Sequence, residues 1–254
     1  MTPSSPPPAL RVSGLGFQVG GATILSGIDL EVAEGSFLGI IGPNGAGKTT
    51  LFNLLTGLLR PTAGVIELEG RDLGGIAPPG RARLGIGRTF QTSSLFNALS
   101  VLENARLSAQ ARVGGSRRFW HRPRPTDPAT VAAWGALEAV GLAAMASRRA
   151  AELSHGDKRK LELAILLAGD ARVLLLDEPM AGVNTEDVAM LSSLIARLHT
   201  EGRTVLMVEH HMAVVLGLAD DVAVLHHGRL LACGGPSTVM ADETVQGAYL
   251  GEPL

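Results

Sequence analysis

Gly42-Pro43-Asn44-Gly45-Ala46-Gly47-Lys48-Thr49-Thr50 sits between an apolar run, Phe37-Leu38-Gly39-Ile40-Ile41, and leucines at helical spacing, Leu51, Leu54, Leu55 and Leu58. The order is strand, glycine loop, helix. Gly42, Gly45 and Gly47 allow backbone geometry and close approach that a Cβ would block, so successive N–H groups can converge on phosphate oxygens. The helix N-terminus adds the positive end of its dipole. At this spacing Lys48 reaches the outer phosphates and the Thr49 hydroxyl can ligate Mg²⁺, the mechanics of a P-loop. Lys48, Lys158 and Lys160 are the only lysines among 22 basic residues. Arginine is the default cation of this chain, which makes a lysine in the loop the more telling.

Composition narrows the class. A chain of 254 residues, 46% of them hydrophobic, can bury a large core, and its length suits one large domain or a core carrying an inserted subdomain. The net charge of −2 gives no general attraction to nucleic acid or to an anionic membrane. One cysteine, Cys233, excludes an internal disulfide and thiol-rich metal sites and fits a reducing cytoplasm. The start, MTPSSPPPAL, lacks the basic and apolar regions of a signal peptide and reads as a disordered proline-rich tail over residues 1–9. No stretch reaches the roughly 18 uninterrupted apolar residues of a spanning helix. Work at a membrane would need another chain to cross it.

Alternation from Leu10 to Val32 with a turn at Gly20-Gly21 predicts two antiparallel strands ahead of the P-loop strand. Val65 to Leu68 and Leu84 to Phe90 read as further strands. Ser100 and Glu103 form a capping-box pattern for a helix to about Arg112, and Asp127-Pro128 opens another through Val140. Between these two helices lies a basic loop, residues 114–125, in which Arg117, Arg118, Arg122 and Arg124 surround Phe119 and Trp120. Such a loop can meet nucleic acid or lipid headgroups, or be a solvated loop beside a membrane partner. Residues 92–151 thus read as a helical insertion. Arg172 to Leu176 and Arg203 to Val208 are apolar enough for buried parallel strands. Asn184 and Asp187 cap a helix to about Thr200, and a hairpin and two short helices close the chain.

Asp177-Glu178 stands at the carboxyl end of a buried strand, where open α/β sheets place ligands. Asp177 can hold Mg²⁺ through water, and Glu178 can orient and deprotonate an attacking water. Between this strand and the P-loop, Leu153-Ser154-His155-Gly156-Asp157-Lys158-Arg159-Lys160 opens a helix whose Ser154 hydroxyl and Gly156 N–H can face an anion.

The order of these motifs resembles the ATP-binding subunit of ABC transporters over the chain from Leu10 onward. GPNGAGKTT resembles the Walker A loop, Gln91 the Q-loop glutamine, LSHGDKRK the signature, VLLLDEP the Walker B strand, MAGVN the D-loop and His210 the switch histidine. The resemblance implies an α/β fold, a P-loop NTPase (RecA-like) core over 10–91 and 152–254 with an antiparallel β subdomain, and an inserted α-helical subdomain over 92–151. It implies that residues 42–50 bind ATP, that Thr49, Gln91 and Asp177 hold Mg²⁺, and that Glu178, His210 and Gln91 serve hydrolysis. Two such subunits, alike or paralogous, would meet head to tail, with Ser154 and Gly156 of one over ATP held by the other. Transmembrane permeases at the cytoplasmic face of the inner membrane would be the partners, a solute-binding protein an indirect one, and nucleic acid none.

GRTFQ, DEPMAGVN, VEHHM and AYLGE are similar to the branched-chain amino acid uptake type, which includes urea and amide importers. The chain departs from the family pattern at His155 and Asp157 in the signature, at His211 after the switch histidine, and at Val19, where an aromatic normally stacks on adenine; Phe17 is the alternative ring. A soluble ABC ATPase acting on nucleic acid or ribosomes, and a degenerate subunit that binds ATP only to support a partner, are the competing readings. The lack of coiled-coil heptads stands against the first, Glu178 and His210 against the second.

Overall fold

Two backbone patterns, alternating strands at the start and unbroken apolar strands later, separate into two kinds of sheet. The computed structural model of the chain describes residues 7–89, 95–113 and 124–250. Residues 1–6 of the proline-rich start, Phe90 and Gln91, and residues 114–123 of the basic loop lie outside the described residues.

The chain divides into two compact units, Met1–Arg81 with Ala196–Leu254, and Ala82–Ile195. The first opens with β1 (Leu10–Val19), β2 (Ala22–Val32), β3 (Phe37–Ile41), α1 (Lys48–Leu55), β4 (Ala63–Leu68), β5 (Arg71–Asp72) and α2 (Pro78–Arg83). Residues 82–195 carry β6 (Ile86–Arg88), α3 (Val101–Val113), α4 (Pro128–Ala139), α5 (His155–Ala168), β7 (Val173–Asp177) and most of α6 (Thr185–Thr200). The chain returns to the first unit with β8 (Thr204–Val208), α7 (Met212–Leu218), β9 (Asp221–His226), β10 (Arg229–Gly234), α8 (Pro236–Ala241) and α9 (Glu243–Leu250).

In the first unit β2, β1, β4 and β5 form an antiparallel sheet in that order. Beside it β3 pairs in parallel with β8 on one edge and β9 on the other, and β10 adds an antiparallel edge to β9. All five residues of β3 and all five of β8 are buried, as their unbroken apolar sequences require of strands covered on both faces. Leu51, Leu54 and Leu55 of α1 have no measurable exposure, each such burial contributing about 1.5–3 kcal/mol.

The leucine spacing carries the P-loop helix three residues too far. α1 ends at Leu55, Gly57 takes φ +78° and Leu58 is 50% exposed. The stop has a local part and a distant part: the Gly57 N–H donates to Leu54 O at 3.1 Å, and the Arg81 guanidinium donates to Leu54 O (2.7 Å) and Leu55 O (2.8 Å), taking carbonyls that another turn would use.

In the second unit β6 and β7 pair in parallel. Helices α3, α4 and α5 pack together. Ser100 Oγ accepts the Glu103 N–H at 3.1 Å as a cap should, while the Glu103 carboxylate forks onto Arg106. Asp127 precedes α4 with Pro128 in the first turn, but its carboxylate accepts the Arg124 N–H rather than capping the helix. The short 3₁₀ turns Ala143–Met145 and Ala150–Glu152 carry no periodic signal to read.

Candidate functional site

The glycine loop is held open by its neighbours. Gly42 has φ +152°, and a Cβ there would run into the Leu225 carbonyl oxygen of β9; Gly47 has φ +103°, and its Cβ would lie 2.5 Å from Leu25 Cδ2 of β2. Any side chain at either position would displace the loop. The β9–β10 turn adds a clamp, with Gly228 N–H donating to Ala46 O at 3.1 Å and Gly228 O accepting the Ser26 N–H at 2.8 Å.

Gly47 caps α1 without a side-chain hydrogen bond, and no acidic residue occupies the helix's first turn. The cap and first turn therefore supply no negative charge to this positive helix end. Lys48, 7% exposed, folds back so that Nζ donates to Gly42 O (2.5 Å) and Pro43 O (3.0 Å). Its ammonium lies against the loop rather than in solvent. Asn44, Gly45 and Thr49 are exposed, Pro43 and Thr50 half-buried, and Ala46 buried, so the loop presents a hydroxyl beside a helix N-terminus that suits a phosphate. Val19, at the end of β1, is 57% exposed, and Phe17 is half-buried.

In the second unit Asp177 ends β7 at 1% exposure. Its Oδ2 accepts Arg88 from β6 at 2.7 Å, its N–H donates to Thr89 Oγ1 at 3.1 Å, and Oδ1 has no hydrogen-bond partner. An orphaned buried carboxylate oxygen fits the water-mediated grip on Mg²⁺, a hard cation that prefers oxygen donors. Among the described residues no three His, Cys, Asp or Glu cluster for a metal. Such a cation takes its remaining ligands from substrate phosphates and water. Glu178 follows, half-buried, at φ +49°, a left-handed conformation unusual for a residue with a Cβ. Backbone strain of this sort collects at functional positions.

Ser154 caps α5: its Oγ accepts the Asp157 N–H at 3.1 Å and donates to Asp157 Oδ2 at 2.9 Å, while Lys160 Nζ sits 3.1 Å from Asp157 Oδ1. The departure at Asp157 thus engages the signature hydroxyl directly. Gly156 is buried, and a Cβ there would fall 2.5 Å from the Asp187 carboxyl carbon of α6. Asn184 Oδ1 accepts the Asp187 N–H at 2.8 Å, as the capping pattern predicts.

His210 is exposed just beyond β8. The preceding Glu209, 3% exposed, accepts His210 N–H at 2.9 Å and His211 N–H at 3.3 Å, with His211 Nδ1 at 3.1 Å. The carboxylate of Glu209 therefore holds the turn that carries His210. Gln91 lies outside the described residues. Sequence reasoning quoted Arg88, Thr89 and Glu209 inside motifs but assigned them nothing. The β6–β7 register and the turn after β8, not residue type, give them roles.

A buried parallel strand, a glycine loop that excludes side chains and a helix end left open to an anion define a P-loop nucleotide-binding ATPase. The chain belongs to the ABC transporter family, whose model matches residues 25–181. It is 40% identical over 252 residues to the high-affinity branched-chain amino acid transport ATP-binding protein BraF of Pseudomonas aeruginosa, covering 96% of this chain and 98% of that one. To the corresponding protein LivG of Salmonella typhimurium it is 39% identical over 251 residues, with the same coverage. Among solved structures it resembles a nucleotide-free ATP-binding cassette from an ABC transporter (TM-score 0.84, 29% identity, 96% of this chain and 99% of that one). A second cassette, in its ADP conformation, gives a TM-score of 0.83 at 30% identity, again over 96% and 99%.

Proposed function

We propose that this chain binds and hydrolyses ATP as one subunit of an ABC importer for branched-chain amino acids or related amides. The reading is carried by its end-to-end likeness to two branched-chain amino acid transport ATP-binding proteins at about two-fifths identity. Residues 42–50 cradle the phosphates, and Lys48 exchanges its loop carbonyls for the outer phosphate oxygens. Thr49, Asp177 and Gln91 hold the cation. Magnesium, when bound, neutralises developing charge on the phosphoryl oxygens. Glu178 takes the proton of the attacking water, His210 and Gln91 stand by the transferred phosphoryl group, and Val19 lies beside adenine. Ser154 and Gly156 close over ATP held by a second ATP-binding subunit.

In this reading residues 10–91 and 152–254 are the ATP-binding core, and residues 92–151 are the insertion that meets permease subunits at the cytoplasmic face of the inner membrane. A solute-binding protein delivers solute to those permeases. No helix among the described residues is long and apolar enough to cross a membrane, so the crossing belongs to the permeases. The test is uptake of labelled leucine, isoleucine, valine and short amides by cells lacking this chain. Loss of uptake, restored by the wild-type chain and not by Glu178→Gln, is the expected result. Unchanged uptake of every one of these solutes overturns the solute class.

A further inference from the structure

The Arg88–Asp177 pair is a buried constellation in the second unit that the roles above leave unexplained. Both side chains are buried, at 5% and 1% exposure, and 2.7 Å separates Arg88 Nη2 from Asp177 Oδ2. Guanidinium cannot give up its charge in a protein, so this is a permanent countercharge. Its placement is built in. Thr89, the next residue, donates its N–H to Leu175 O at 3.0 Å and accepts the Asp177 N–H on its hydroxyl. A Cβ on Gly87 would lie 2.6 Å from Ala171 Cβ and 3.1 Å from Leu166 Cδ2, so β6 approaches its neighbours as closely as a glycine permits. Arg88 is thus delivered to the carboxylate by the backbone, unlike a long surface cation that finds an anion by chance.

We propose that Arg88 is the resident countercharge of Asp177 and keeps a lone divalent cation off this carboxylate until nucleotide phosphates arrive with it. The proposal rests on Asp177 being the cation's carboxylate, as in the function proposed above. With Oδ2 tied to Arg88, Asp177 offers one oxygen and almost no net charge. A hydrated cation alone gains too little there to shed water. A cation that arrives with phosphates brings several negative charges of its own, and the arginine no longer outweighs the attraction. Arg88 thereby couples cation entry to nucleotide entry. It also holds Oδ1 in one orientation, ready for a cation-bound water. Without its charge, Asp177 is left as a buried carboxylate that has lost its countercharge, and a divalent cation can take that place.

The experiment uses the full chain free of nucleotide, with Mn²⁺ binding followed by electron paramagnetic resonance and thermal unfolding followed with and without Mg²⁺. Arg88→Gln and Arg88→Met should bind Mn²⁺ at least about tenfold more tightly than the wild type, a countercharge this close being worth at least that much. Their unfolding midpoints should fall in chelator and rise again with Mg²⁺, because a ligand of the folded state stabilises it. Arg88→Lys, which keeps the charge, should behave as the wild type, and adding Asp177→Asn to Arg88→Gln should abolish the cation effect. A variant that does not fold in chelator is refolded in Mg²⁺ and in NaCl of equal ionic strength; no difference between the two overturns the proposal. So does wild-type Mn²⁺ affinity in Arg88→Gln, provided Asp177→Asn alone weakens Mn²⁺·ATP binding. If Asp177→Asn leaves Mn²⁺·ATP affinity intact, the metal role of Asp177 itself fails.

Discussion

Glu178 holds φ +49°, a conformation that costs a residue with a Cβ of order 1–3 kcal/mol. Glycine would occupy it without strain, so the backbone and the carboxylate can be tested apart. The turn is fixed from both sides: Asp177 is tied to Arg88 and Thr89, and the Glu178 carbonyl accepts the Ala181 N–H at 3.0 Å. Two substitutions separate strain from chemistry. Glu178→Gly should raise the unfolding midpoint and abolish turnover, whereas Glu178→Gln keeps shape and ATP binding and loses turnover by on the order of 10²–10⁴, the usual worth of a positioned base. Phosphate release and thermal unfolding read both. A glutamine variant hydrolysing at the wild-type rate removes Glu178 as the base. The position of the acids was legible, because the apolar run before them reads as a buried strand that ends at Asp177. The strain was not, since nothing in the residue type announces a positive φ.

At the scale of elements, α1 is asymmetric in a way its leucines do not reveal. Its N-terminus is left to the ligand, while its C-terminus is closed by the Arg81 guanidinium on Leu54 O and Leu55 O, with Leu73 O and Ile76 O at 3.0 Å completing the acceptors. A cation at this end favours the helix dipole. Burial pushes the guanidinium's pKa down, with Asp72 acting against that shift. Arg81→Ala should destabilise by about 2–4 kcal/mol, because it strands buried carbonyls and empties a packed position. Arg81→Lys should recover only part, lacking the planar fork that reaches several carbonyls at once. Denaturant unfolding measures this, and a midpoint unchanged in Arg81→Ala would remove the arginine as the helix lock. Periodicity located every strand that frames the loop, but it extended α1 to Leu58. Gly57, left-handed just past the helix end, is a local stop that the leucine spacing overrode, while the arginine 27 positions beyond Leu54 that closes the carbonyls is announced by no local pattern.

For the whole molecule, the proposed sandwich makes each catalytic site a composite of two chains, and that can be read by mixing two inactive proteins. In that sandwich Lys48, buried against the carbonyls of its own loop, would serve the nucleotide of its own chain. Ser154, exposed at the start of α5 with its hydroxyl on Asp157, would serve the nucleotide of the other chain. Lys48→Ala should therefore lose ATP binding. Ser154→Arg should bind ATP as a monomer and fail to close, because the long cation cannot fit where a hydroxyl meets phosphate. When the two are mixed, a dimer of one of each has one site ruined twice and one site intact, with Lys48 from the serine variant and Ser154 from the lysine variant. Steady-state ATPase of the mixture should exceed that of either variant alone. Absence of recovery weighs against a sandwich of two identical chains, and a second measurement then decides what replaces it. Glu178→Gln with ATP should sediment at twice 26.4 kDa if the chain pairs with itself. If it stays at the monomer mass until a paralogous ATP-binding subunit is added, the two sites belong to an unlike pair, and each must be assigned to its own Lys48 and its partner's signature.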